Sequence, residues 1–204
     1  MVQAVSTSSF CLGTETLAAA LVEYADEKDK FTIAVPDGWL SGEGDLLPPA
    51  NRFSNTAGMA RVVGFAPPGK SDVNVSITVT PIGPDYTRLG SFGDAQTFGQ
   101  NLVASMDRSY LLRTPAWVRQ GEEQPQVARL LEAREINDQY YVSYSIKKAN
   151  EPGRLVRSVV AIGNNGRTRR FYTVNASCLD SDAAEYGDLL QRVVKTFKVP
   201  AAVV

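Results

Sequence analysis

The sequence predicts an α+β domain in which an antiparallel sheet carries a helix on either face. Three observations lead there. Strand-like segments follow one another through short polar turns in the second half of the chain, which is the pattern of a meander and not of βαβ units. Two segments place apolar residues at helical spacing. The chain's 204 residues, 44% hydrophobic and 21% charged, are enough for one globular core and argue against disordered and fibrous classes.

The elements follow in order. Residues 1–22 are rich in Ser, Thr and Ala and read as a leader remnant or frayed N-terminus, with ordered structure beginning near Tyr24. The apolar run from Leu17 to Val22 is shorter than a membrane span or a full signal sequence requires. Phe31 to Val35 alternates large apolar with small or polar residues, then breaks at Pro36, Asp37 and Gly38, so it reads as a short strand. Trp39 follows as an expected buried anchor, with its indole N–H bonded locally. Ser41 to Thr56 is Gly-, Pro-, Asn- and Ser-rich and reads as a surface loop.

Met59–Phe65 and Val73–Thr80 read as strands. In the second, Val73, Val75, Ile77 and Val79 share one face, and Asn74, Ser76, Thr78 and Thr80 the other. Ser91, with Asp94 three residues on, has the form of a capping box opening a helix. Phe92, Ala95, Phe98, Leu102, Val103 and Met106 give that helix its core-facing stripe. Four strands follow, at Ala128–Arg134, Tyr140–Lys147, Leu155–Ile162 and Arg170–Cys178. The turns between them carry Asn137-Asp138 and Gly163-Asn164-Asn165-Gly166, residues that tolerate positive φ. A final helix from Ser181 to Phe197 buries Tyr186, Leu189, Leu190, Val193, Val194 and Phe197, and Pro200 is expected to stop it. The resulting boundaries are a leader or disordered segment at 1–22, one domain at 23–199 and a tail at 200–204.

Composition narrows the function. There is no histidine, which removes Ser-His-Asp and Cys-His nucleophilic machinery and HExxH zinc chemistry. Lys+Arg 21 against Asp+Glu 22 gives no basic footprint for nucleic acid. Cys11 and Cys178 have no CxxC spacing, and whether they pair stays open. No glycine loop has the form that cradles phosphate.

Two charged sets are candidates. Asp180, Asp182 and Glu185, with Asp188 beyond, open the last helix. Their oxygens suit calcium, although acids in a first helical turn are expected anyway for capping. The residues demand no cofactor. Arg154, Arg157, Arg167, Arg169 and Arg170, with Lys147 and Lys148, fall on two adjoining hairpins. They could dock on an acidic protein surface or merely protect strand edges. Asn74-Val75-Ser76 and Asn175-Ala176-Ser177 match the glycosylation sequon, but both sit in strands and read as ordinary solvent-face residues.

A set of segments in fixed order resembles the PsbP family. They are Tyr24-Ala25-Asp26, Phe31 through Trp39, Val73–Ile77, Leu89–Gly93, Tyr140–Tyr144, Arg170–Val174 and Val193–Lys198, covering about residues 24 to 199. The resemblance implies an αβα sandwich around an antiparallel sheet, a fold shared with Mog1-like proteins. It implies a non-enzymatic, peripheral protein of the chloroplast thylakoid lumen. Its partners would be photosystem subunits or assembly intermediates at the lumenal membrane face. Calcium binding at Asp180, Asp182 and Glu185 would fit such a role. The chain departs from the founding oxygen-evolving subunit in lacking the family's metal-contact histidines and a recognisable N-terminal arm. A divergent paralogue is the better reading, and the resemblance leaves photosystem I assembly, photosystem II repair and NDH-complex support open. The alternatives are an enzyme using carboxylate chemistry at the acidic set, and a Mog1-like regulator of a small GTPase.

Overall fold

The computed structural model describes residues 19–46, 60–83, 85–115 and 124–200. Cys11, and most of the loop expected between Ser41 and Thr56, lie outside them. The strands are β1 (Leu21–Ala25), β2 (Thr32–Pro36), β3 (Leu40–Leu46), β4 (Ala60–Ala66) and β5 (Asn74–Pro81), then β6 (Gln126–Ile136), β7 (Gln139–Lys148), β8 (Arg154–Asn164) and β9 (Arg169–Leu179). The helices are α1 (Ala95–Met106) and α2 (Ala183–Lys195). Seven strands form one sheet in the order β3-β4-β5-β9-β8-β7-β6, and β1 pairs with β2 apart from it. Every pairing is antiparallel.

Alternation along the strands assigns each side chain to one of two cores. On one face, Val75 and Ile77 of β5 and Tyr172 and Val174 of β9 meet Phe31 and Ile33 of the β1–β2 hairpin and Leu190 and Val193 of α2. On the other face, Tyr140, Val142 and Tyr144 of β7 and Val156 and Val160 of β8 lie under α1, packed with Phe98, Leu102 and Met106. Gly99 lets α1 approach closely: a Cβ there would stand 3.0 Å from the Leu130 side chain and 3.3 Å from those of Ala133 and Val142. The αβα layering expected from the sequence is present.

Several boundaries differ, each for a local reason. Leu40–Leu46, expected within a loop, is an edge strand zipped to β4 from Leu40↔Ala66 to Leu46↔Ala60. From Ser41 to Asp45 its side chains are exposed, so no burial alternation marks it in sequence. Leu21 and Val22, expected in a frayed leader, belong to β1. The first α-helix does not start at Ser91. Leu89–Phe92 is a separate 3₁₀ turn, Gly93 breaks the chain at φ 89, and Asp94 is the N-cap, its carboxylate accepting from the Thr97 N–H at 2.7 Å. The second α-helix begins at Ala183 after a 3₁₀ turn at Asp180–Asp182. It ends before Pro200 is reached. The Thr196 hydroxyl donates to the Val193 carbonyl at 2.6 Å and accepts from the Ala34 N–H at 2.8 Å, and Lys198 then pairs with Thr32.

Asn137 and Asp138, at φ 52 and 57, make the two-residue β6–β7 turn that their residue types favour. The β8–β9 loop lies two residues later than expected, at 165–168. Its Asn165 side chain accepts from the N–H groups of Arg167 and Thr168. Trp39 is half-buried against the α2-side core, not fully enclosed. The two sequons face each other across β5 and β9, as Asn74↔Ser177 and Ser76↔Asn175. Ser177 donates to the Asn74 side chain at 3.2 Å, and Ser158 donates to that of Asn175. No helix among the described residues is long and apolar enough to cross a membrane.

Candidate functional site

The turn joining β1 to β2 is held by its own carboxylate. Asp26 accepts from the Asp29 N–H at 2.7 Å, and the Asp26 N–H donates to the Phe31 carbonyl at 2.9 Å. Lys30 closes the turn at φ 59, a conformation uncommon outside glycine. The turn lies beside β4, from which Arg61 reaches three acids. One terminal nitrogen stands 2.7 Å from Asp26 and 2.9 Å from Glu43, and the other 3.1 Å from Asp29. The side chains of Asp26 and Asp29 are only 2% and 8% exposed, so these are desolvated charges and their pairing matters. From β9, the Tyr172 hydroxyl donates to the Asp29 carbonyl at 2.7 Å, and Arg170 Nε stands 3.7 Å from the Asp29 carboxylate.

These groups surround a cleft of about 570 Å³, lined by Glu27, Lys28, Asp29, Lys30, Arg61, Val79, Asn165, Arg167 and Arg170. Its walls come from the β1–β2 turn, β4, β5, the β8–β9 loop and β9. Five basic side chains face two acidic ones there. Arg61 Nε and Arg170 Nε are buried without a hydrogen-bond partner. Burial works to raise the Asp26 carboxyl, but the Arg61 guanidinium and the Asp29 N–H outweigh it and hold the group below its ordinary value of 3.8. Burial, with the Asp29 charge, pushes the Tyr172 hydroxyl well above the usual phenol range, so it stays a donor.

A pH dependence follows. The Asp26 value is lower folded than unfolded, so its stabilisation is complete above the unfolded value and drains away as pH falls through the folded one. The thermal midpoint should be level above about pH 5 and fall steeply below about pH 4, with a shallower fall in Asp26→Asn. A midpoint unchanged down to about pH 3 would contradict the assigned role of this carboxylate.

The basic set expected on the hairpins is not one patch. Arg167 and Arg170 line the cleft. Arg154 lies at the opposite end of β8, where it holds Asp72 at 2.9 Å and donates to Ser177 at 3.2 Å. Ten residues of strand separate Arg154 from Asn164, which is roughly 33 Å. Arg157 points to the α2 face beside Gly187, its Nε buried without a partner. Arg169 sits half-buried at the start of β9, and Lys148 pairs with Glu151 at 3.1 Å. Strand alternation and hairpin length divide what the sequence lists side by side.

The acidic set is likewise not a cation cage. Lys70 stands 3.1 Å from Asp182 and 3.7 Å from Glu185, filling with an ammonium the place a metal would take. Asp180 lies against Gly153, whose carbonyl accepts its N–H at 2.8 Å. No three Asp, Glu or Cys side chains among the described residues come together as a metal site. Of the expected helix-start role, Asp182 makes no side-chain cap bond, but Glu185 does stand in the first turn of α2, where its charge complements the helix dipole. These residues do not fit calcium.

Sequence reasoning passed over Arg61, Asp26 and Asp29 as a unit. The charged run at 26–30 is visible in the chain, but its partner lies more than thirty residues away on another sheet.

Comparison with known proteins places the fold in context. The family model for PsbP matches residues 19–199. PsbP domain-containing protein 3, chloroplastic, of Arabidopsis thaliana is 32% identical over 175 residues, covering 86% of this chain and 63% of that protein. PsbP domain-containing protein 7, chloroplastic, of the same plant is 26% identical over 158 residues, covering 75% of this chain and 51% of that one. The chain therefore spans about half to three fifths of these relatives' lengths. The solution structure of cyanobacterial PsbP (CyanoP) from Synechocystis sp. PCC 6803 aligns with a TM-score of 0.57 at 20% identity, over 92% of this chain and 96% of that one. A domain model that matches nearly the whole described fold, from β1 through the segment after α2, makes this chain a member of the PsbP family.

Proposed function

We propose that this protein is a non-enzymatic accessory or assembly factor for a photosynthetic complex, working by binding at the lumenal face of the chloroplast thylakoid. The observation that carries the reading is the PsbP family match along residues 19–199. Two relatives named as chloroplastic support a chloroplast location. The charged cleft is better suited to recognition than to turnover. Its arginines present planar forks of N–H donors, which suit the binding of charge. A rigid sheet presenting charged turns is also the usual construction of a docking domain.

The test is affinity purification of the tagged protein from thylakoids at graded salt. Photosystem subunits should co-elute at low ionic strength and be lost progressively as salt rises, because exposed charges are screened over about 8 Å at physiological strength. Recovery in the stroma, or elution free of any photosynthetic subunit at low salt, would overturn the proposal.

A further inference from the structure

The cleft between the β1–β2 turn and the β8–β9 loop contains more cationic donors than its acids can satisfy. Arg61 is engaged, its two terminal nitrogens shared among Asp26, Asp29 and Glu43. Lys28 stands 3.6 Å from Glu43, and the remaining three cations are less engaged. Arg170 approaches Asp29 only through Nε at 3.7 Å, too far for a hydrogen bond, and that Nε is buried without an acceptor. Lys30 and Arg167 form no ion pair among the described residues. All three line the same space as Arg61, whose own Nε is also buried and unpaired. Buried donors lacking an acceptor are rare in folded proteins, and here two of them lie behind a cleft lined by five basic side chains and two acidic ones. A volume of about 570 Å³ lies in the range of ligand sites, well beyond what a single water needs.

We infer that this cleft is an oxyanion-binding site: Arg170, Arg167 and Lys30 hold a phosphate, sulfate or carboxylate group, with Arg61 behind them. An oxyanion brings acceptors to the cationic side chains that line the cleft, and its planar or tetrahedral oxygens match a guanidinium fork. The site is positioned before the ligand arrives. The Asn165 side chain fixes the Arg167 backbone by accepting from its N–H at 3.1 Å. Asp26 and the Lys30 turn fix the opposite wall. Binding would clamp the β1–β2 turn to the β8–β9 loop, two segments far apart in sequence. This binding does not depend on which complex the protein joins.

The test uses the whole chain and inorganic phosphate, with sodium chloride at matched ionic strength as the control. Phosphate stabilises proteins generally by exclusion from their surfaces, so the comparison with variants decides. The expected result is a larger midpoint rise in wild type than in Arg170→Gln or Arg167→Gln. Amide shifts in NMR should be confined to 27–30 and 165–170, and affinity should weaken about tenfold in each variant. Arg167 is exposed on a loop, so its variant reports on binding even where Arg170→Gln lowers stability. Equal midpoint rises in all three proteins, or amide shifts absent from both segments, would overturn the inference. A hexaglutamate peptide distinguishes the source. Displacement of phosphate by the peptide supports an oxyanion presented by a partner's acidic side chains. Failure to displace it supports a small-molecule anion in the same site.

Discussion

Replacing Arg61 with leucine is expected to lower stability by about 3–5 kcal/mol, the largest effect of any single charge among the described residues. The cost does not come from the lost attraction alone. Arg61 is only 14% exposed, and its removal leaves the carboxylates of Asp26 and Asp29 desolvated with their chief counter-charge gone. For a domain of this size the thermal midpoint should fall by on the order of 10 °C. The mechanism makes a further demand on pH. As pH falls and the Asp26 carboxylate takes up a proton, one of the charges left without its counter-charge disappears, and the gap between wild type and Arg61→Leu should narrow. Asp26→Asn in the Arg61→Leu background should likewise recover part of the loss at neutral pH, because it removes one buried charge. Chemical denaturation of the four proteins of this cycle checks the prediction. A single-variant loss below about 1 kcal/mol would place the cluster among ordinary surface ion pairs.

Tyr172→Ala should cost a similar amount, about 3–5 kcal/mol, for a different reason. Tyr172 is fully buried, with its ring centroid 6.3 Å from those of Phe31 and Phe197, so truncation opens a cavity where β9, the β1–β2 hairpin and the segment after α2 meet. Its hydroxyl separately holds the Asp29 carbonyl. Tyr172→Phe retains the ring and should lose only about 1 kcal/mol, but it should speed amide exchange in the 27–30 turn. Together the two variants separate core packing from anchoring of the cleft. A Tyr172→Phe protein as unstable as Tyr172→Ala would show the hydroxyl, not the ring, to be the main contribution.

How much of this was legible in the chain varies with the kind of order involved. Strand β5 announced itself: Val75, Ile77 and Val79 alternate with Ser76, Thr78 and Thr80, and the first three are buried as expected. The stripes of α1 and α2 were equally plain, since Phe98, Leu102 and Val103, or Leu190, Val193 and Val194, recur at the helical period. Strand β3 was hidden because its stability comes from backbone bonds to β4 and not from burial of its own side chains. The helix start read at Ser91 moved to Asp94, because Gly93 at positive φ closes the 3₁₀ turn and breaks the chain there.

The sequence by itself determined the layers of this protein, because the periods of 2 and 3.6 residues state which side of each element must leave water. It also determined the family, through segments whose order runs almost the length of the chain. Only the tertiary structure decided the site. Arg154 and Arg167 are neighbours on paper and stand at opposite ends of one hairpin, whereas Asp29, Arg61 and Arg170 are scattered in the chain and meet in one cleft. Hydrophobic periodicity is written locally, but a charge constellation depends on strand register and on which turns close over which strands. Those are set by pairings between residues more than a hundred positions apart, such as Tyr172 with Asp29, that no local pattern encodes.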